Sequence, residues 1–423
     1  MQHPLRCLCI VGLLIGCMAA STRAQTPLTS LTWQQVKSRF EASNPNLQAG
    51  QIGIAESRAE EITAFLRPNP DVTGGLDQLD FFSNNPTHYR PFAEAFPSAS
   101  VSYLHERAHK RELRLQDAQG ATAIAESQLE DQERGLIFNL RVAFVSILQQ
   151  KAVLALAKAD LDYFDRELVI NQERFKVGDI AQLDLDRIEL QRVQYESDYQ
   201  TALVNLRTAK INLLTLLDDR TPVEQFDVTG AFTFPDHVDE LQRFRDLAIQ
   251  NRPDLKAALQ GVDKAKVDYK LAIANGSTDP TFSADFARNP PIPVYMGFSI
   301  SIPLRIFDRN QGEKERTRLD IGHAQRLSEA AVAQVFSDVD SAHAMLISNI
   351  NLLVPYRDKY LAQAIRVRDT TSFAYQHGGA ALVDYLDAQR DYRAVQLAYI
   401  NLVGAYMTAA GQMNQAVGLE VIQ

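Results

Sequence analysis

Cysteine is nearly missing from this chain: the only three, Cys7, Cys9 and Cys17, lie within the first 17 of 423 residues. The remainder therefore has neither a disulfide framework nor thiol chemistry. Proline is absent between Pro97 and Pro222, between Pro303 and Pro355, and after Pro355. Nothing in those stretches interrupts a helix. A helix continuous over 108–175 would be on the order of 100 Å long at ~1.5 Å per residue. No domain of ordinary size needs one, which favours an elongated tube or coiled-coil barrel. The net charge of −9 argues against a nucleic-acid partner. After the N-terminal segment no apolar run is expected to reach the ~20 residues of a membrane helix. There is no Gly-rich phosphate loop. His88, His237, His323, His343 and His377 show no ligand spacing, so neither a cofactor nor a bound metal is expected.

What is present begins with a leader. Arg6 precedes an apolar run from Cys7 to Gly16 and then small residues, the pattern of a secretory signal over 1–24. Thr22-Arg23-Ala24 before Gln25 offers one cleavage site, and Leu14-Ile15-Gly16-Cys17 reads as a lipobox cleaved before Cys17. Export followed by a cysteine-free body suggests a bacterial envelope protein.

Strand patterns are few but regular. Val294, Met296, Phe298, Ile300, Ile302 and Leu304 alternate with Tyr295, Gly297, Ser299, Ser301 and Pro303. Before them Phe282, Ala284 and Phe286 alternate with Thr281, Ser283 and Asp285, with Asn289-Pro290-Pro291 as the turn. A looser run, Val72 to Phe82, precedes Ala99, Val101 and Tyr103 set against Ser98, Ser100 and Ser102. Each run is near the ~9–11 residues of a transmembrane β-strand with one greasy and one wet face. The other reading is four half-buried strands of a soluble sheet. Four strands cannot close a barrel, and an open edge in lipid leaves backbone groups unpaired. Strands in a membrane would require several copies to close one barrel.

Two helical seams repeat across the chain. Tyr385, Ala388, Tyr392, Val395, Tyr399, Leu402, Tyr406 and Ala409 recur at alternating steps of three and four, the 3.5-residue period of a coiled coil. Phe175 to Asp184 stands over Tyr375 to Asp384 without a gap, and a second seam follows from Leu185 to Leu216 with Arg192 as its polar interruption. Two strands, helix, turn, helix, taken twice, indicates an internal duplication. Gly378-Gly379 and Gly178 mark the turns. Asp384, Asp387 and Asp391 load one flank of the helix after the second turn, with Arg390 and Arg393 at spacing to answer them.

With these residues in hand, the chain resembles the outer membrane efflux proteins of the TolC family over essentially its whole mature length. The resemblance is carried by LTWQQVKSRFEASNPNL (Leu31 to Leu47), Asn251-Arg252-Pro253-Asp254-Leu255, GFSISIPLRIFDRNQG (Gly297 to Gly312) and the two hairpin tips, Phe175 to Asp184 and Tyr375 to Asp387. PLRIFDRNQG is most like the heavy-metal, CzcC-like branch. The resemblance implies an α+β membrane protein: a homotrimer with a 12-stranded outer-membrane β-barrel, four strands per chain, continued by a periplasmic α-helical coiled-coil barrel. Two tandem repeats are expected at 25–222 and 241–423, joined by an equatorial linker at 223–240.

The implied function is a passive exit duct in the outer membrane, not an enzyme. Its partners would be a periplasmic adaptor protein, an inner-membrane pump of the resistance-nodulation-division type and outer-membrane lipid. Metal cations are the expected cargo, with drug efflux or type I protein secretion as alternatives. A periplasmic coiled-coil scaffold is the rival of another class. By the family's pattern Asp384 and Asp387 constrict the periplasmic entrance, and Val177, Gly178, Asp179, Gly378 and Gly379 form adaptor-contacting tips. An arginine that locks the closed tip in some members is replaced by Ala380, which puts that link in doubt. His105-Glu106-Arg107-Ala108-His109 fits the zinc-protease pattern H-E-x-x-H, but no third ligand is evident. It reads instead as a charged helix start at a membrane surface.

Overall fold

The computed structural model describes residues 29–77, 79, 95–235, 237–289 and 292–422. The leader with its two cleavage sites, His88, the first strand run beyond residue 77 and the Pro290-Pro291 turn lie outside the described residues.

Chain order is β1 (Thr29–Leu31), α1 (Trp33–Ser43), α2 (Pro45–Phe65), β2 (Asp71–Asp77), β3 (Phe96–Leu104), α3 (Lys110–Lys176) and α4 (Gln182–Leu216). It continues with β4 (Phe226–Val228), α5 (Leu241–Asn251), α6 (Pro253–Asn275), β5 (Thr281–Asn289), β6 (Ile292–Ser301), α7 (Gln311–Pro355), α8 (Leu361–Gln376) and α9 (Leu382–Val417). The proline-free stretch does form one helix: α3 runs for 67 residues. Where proline returns, regular structure changes. Pro355 cannot donate a backbone N–H, and a π-turn over Tyr356–Tyr360 separates α7 from α8. At the start of α2, Pro45 occupies the first helical position and the Asn44 side chain accepts the N–H groups of Asn46 and Leu47.

One apolar core joins the middle of the helices. Leu140 and Phe144 of α3, Leu213 of α4, Val339 and Leu346 of α7 and Tyr406 of α9 are buried in it, together with Phe40 of α1 and Phe226 of β4. The 223–240 segment packs rather than dangles. Its β4 pairs in parallel with β1, Leu31 opposite Val228, and Lys151 and Lys210 both reach Asp227. The Asn-Arg-Pro-Asp-Leu motif is the α5–α6 junction. Arg252, its side chain only 2% exposed, bonds Asp254, Asp338 and the Ala416 carbonyl.

The expectation about apolar runs is corrected. Among the described residues α3 contains a stretch long and apolar enough, by length and composition, to cross a membrane. Leu140, Phe144, Val145, Ile147 and Leu148 of that helix are buried in the core, so helix packing accounts for part of its apolar character.

The second sheet is four-stranded and antiparallel in the order β2-β3-β5-β6. Its register aligns the alternation across all four strands. Val72 pairs with Val101, Val101 with Ala284 and Ala284 with Phe298. Directly paired residues point to the same face, so these form one apolar row. One residue along, Thr73, Ser100, Asp285 and Gly297 form a row on the opposite face. The expected strand through Leu304 is shorter than its alternation: β6 ends at Ser301. Its partner β5 begins at Thr281, opposite Ser301, and Pro303 has no N–H to extend the ladder.

Candidate functional site: hairpin tips and entrance aspartates

The two turns anticipated by Gly178 and Gly378 share one hydrogen-bond pattern. Gly178 N–H donates to the Phe175 carbonyl and Asp179 N–H to that of Arg174; Gly378 and Gly379 donate likewise to Tyr375 and Ala374. Both are Schellman ends, in which the residue after the C-cap takes the left-handed region. The glycines do so at φ 80° and 74°. Val177 is 81% exposed at the first tip, and the Asp179 carboxylate accepts from Arg174 Nε at 2.6 Å. The tips lie side by side, since Asp179 and Gly378 border one cleft.

Beyond the second turn, Asp384 sits in the first turn of α9 and accepts the Ala381 N–H at 3.3 Å. Asp387 is exposed and paired with Arg390 at 2.8 Å, an exposed contact worth little. Asp391 is also exposed. Arg393 does not answer these aspartates, contrary to the expectation. It turns inward to Asp198 of α4 at 2.5 Å and Asp160 of α3 at 3.5 Å. Arg192, the interruption in the first seam, pairs with Asp165 and Glu196. The apolar seam positions themselves are buried at Leu185, Ile188, Tyr195, Tyr385, Ala388 and Tyr406.

Between the tips and Arg393 lies a cluster that spacing alone did not reveal. Tyr375 stacks on Tyr385 at 4.9 Å and donates to Asn171 Oδ1 at 3.0 Å. Tyr385 donates to the Tyr163 hydroxyl at 3.0 Å, and Gln389 donates to the same oxygen. Ala380, just after the second turn, packs against this cluster. Burial raises the Glu167 carboxyl above its ordinary value, with Tyr163 and Tyr385 opposing the rise. Burial also pushes Asp160 up to about 6, with Arg393 and Arg368 pulling it down. Signals for this cluster existed only in pairs of residues some 200 positions apart.

The zinc-protease pattern is not helical. His105 to Ala108 precede α3, and Ala108 and His109 both take the left-handed region, at φ 57° and 56°. The two histidines are therefore not the i, i+4 pair on one helix face that such a site needs. Glu106 is held by both terminal nitrogens of Arg114. Among the described residues no group of three or more His, Cys, Asp or Glu could hold a metal ion.

Long helical hairpins carrying a small sheet of segregated faces define a mixed α/β chain. The model of the outer membrane efflux protein family matches residues 244–419. The cobalt-zinc-cadmium resistance protein CzcC of Cupriavidus metallidurans is 22% identical over 92% of this chain and 90% of its own length. The outer membrane protein TolC of Vibrio cholerae is 22% identical, covering 92% of each chain. Among solved structures, CusC superposes with TM-score 0.77 at 16% identity over 94% of this chain and 96% of its own. The outer-membrane channel OprN superposes at 0.76 and 15% identity over 91% and 89%. Over most of its length the chain is similar to outer-membrane efflux proteins, and its fold is that of the solved channels.

Proposed function

We propose that three copies of this chain form a passive exit duct, with a 12-stranded barrel in the outer membrane and a helical barrel in the periplasm. The observation that carries this reading is the sheet register. Four strands present one apolar row, while β2 and β6 remain edges. In a bilayer those edges need partners, because each unpaired backbone group there costs several kcal/mol. The β6 edge of one copy meeting the β2 edge of the next supplies them.

The domain division follows the same reading: repeats at 25–222 and 241–423 bracket the packed segment at 223–240. Matched turns at Gly178 and Gly378 support it. The tips at Val177, Gly178, Asp179, Gly378 and Gly379 would meet a periplasmic adaptor, itself joined to an inner-membrane pump of the resistance-nodulation-division type. Asp384 and Asp387 would gather six carboxylates around the entrance, an arrangement that draws cations.

The cargo we favour is a heavy-metal cation, as the printed name of CzcC suggests for that relative. Cells lacking this chain should lose tolerance to cobalt, zinc or cadmium salts and regain it on complementation. Unchanged metal tolerance with new sensitivity to drugs would reassign the cargo.

A further inference from the structure

We propose that the cleft at the foot of β3 seats the phosphate of an anionic phospholipid in the periplasmic leaflet. The proposal rests on the reading that the four-stranded sheet lies in the bilayer.

Sheet parity sets the side on which the cleft opens. Tyr103 pairs with Phe282, and Phe282 with Ile300, so Tyr103 belongs to the apolar face. His105 extends the ladder, its N–H donating to the Pro280 carbonyl at 2.9 Å. Its ring meets Phe282 edge-on at 6.4 Å. Directly below, Arg67, Tyr103, His105, His109 and Arg111 border a cleft of about 320 Å³, with Glu106 and Glu112 also on its wall. The position is where β3 gives way to α3, the level at which an apolar band meets water and lipid phosphate.

The charges there are unevenly committed. Lys110 is unavailable: its side chain is 5% exposed, held by Asp279 at 2.5 Å and by the Ser277 carbonyl. Glu106 is neutralised by Arg114. Arg67 is exposed and makes no ion pair among the described residues. Arg111 lies over the Phe65 ring at 4.2 Å. Its carboxylate partner is its neighbour Glu112, at 3.1 Å, and a guanidinium with five N–H donors keeps others free. Phe65 and Tyr103 place aromatic surface beside these cations, as at a membrane interface. A phosphate matches the cations, and acyl chains match the Val101 and Phe282 face above. The Phe307 side chain of a neighbouring copy, 91% exposed in this chain, is the rival occupant.

The test compares full-length protein and Arg67→Gln, with Arg67→Gln/Arg111→Gln as a second variant, in vesicles of phosphatidylglycerol or phosphatidylcholine with identical acyl chains. Lipid retained after detergent extraction is counted by native mass spectrometry, with and without inorganic phosphate. Wild type should prefer phosphatidylglycerol, and free phosphate should not displace it. Each substitution should weaken that preference roughly fivefold, from about 1 kcal/mol per basic residue near an anionic surface. Equal retention of both lipids by wild type, or an unchanged preference in an assembled Arg67→Gln protein, would overturn the proposal. Loss of assembly with unchanged lipid retention would also overturn it and assign the cleft to a neighbouring copy. Displacement by inorganic phosphate would overturn the lipid assignment. Release of the protein by salt without detergent would instead defeat the reading of the sheet as membrane-embedded.

Discussion

Phe298 stands directly across the β5–β6 ladder from Ala284, and the row they share continues through Val101 to Val72. Phe298 is 79% exposed in the single chain, as a lipid-facing side chain should be. Replacing Phe298 or Ile300 with Arg should cost roughly 2–4 kcal/mol near the bilayer midplane. Replacing Ser299 or Ser301 with Asn, on the other face, should cost much less. Unfolding of the lipid-reconstituted protein in urea checks this. Equal costs for the two sets would remove the sheet from lipid.

The entrance prediction concerns Asp384 and Asp387. Converting both to Asn leaves the buried positions Tyr385 and Ala388 untouched. In planar bilayers the double variant should still assemble, yet lose cation selectivity and become less sensitive to block by divalent cations. Rising salt should narrow the difference, because exposed charges are screened. Asp391, further from the turn, should matter less. Unchanged selectivity would reduce these aspartates to a solvated helix flank.

The tip glycines make a stability prediction. Gly378 has φ 74° and nothing within 4 Å of where a Cβ would stand. Alanine there suffers only the left-handed backbone, about 1–2 kcal/mol. Gly178→Ala should cost about the same, and Gly379→Ala less, since no positive φ is required at that position. Hydrogen exchange at the tips measures this. A costless Gly378→Ala would contradict the turn geometry.

Asp160 makes the tip region pH-sensitive. Burial raises its carboxyl from 3.8 to about 6. The groups facing it are Arg393 from α9, Arg368 from α8, and Asp198 and Tyr195 from α4. A raised folded value means the native state binds the proton more tightly. Its stabilisation is complete below about pH 4 and is lost as pH rises through about 6. Asp160→Asn does not titrate, so its stability relative to wild type should improve between pH 4 and 7 by on the order of 1–3 kcal/mol. Thermal melts across that range check it, and a pH-independent difference would contradict it.

Much of the fold was legible because it repeats simple periods. Alternation marked β3, β5 and β6, the proline gap marked α3, and the 3.5-residue seam marked the buried positions of α4 and α9. Three-residue β1 and β4 escaped because their pairing joins residues about 200 apart, Thr29 with Phe226. Arg393 escaped because its partners, Asp160 and Asp198, lie on other helices, to which packing carries it. The tip network joining Tyr163, Asn171, Tyr375 and Tyr385 depends on how two hairpins meet, which neither hairpin's own sequence encodes.

On the proposed reading, copies of this chain close a barrel that one copy cannot. The most direct measurement is the mass of the detergent-solubilised protein, taken alongside its strand content. A trimer with intact strands is the predicted result; a monodisperse monomer with the same strand content would contradict the account.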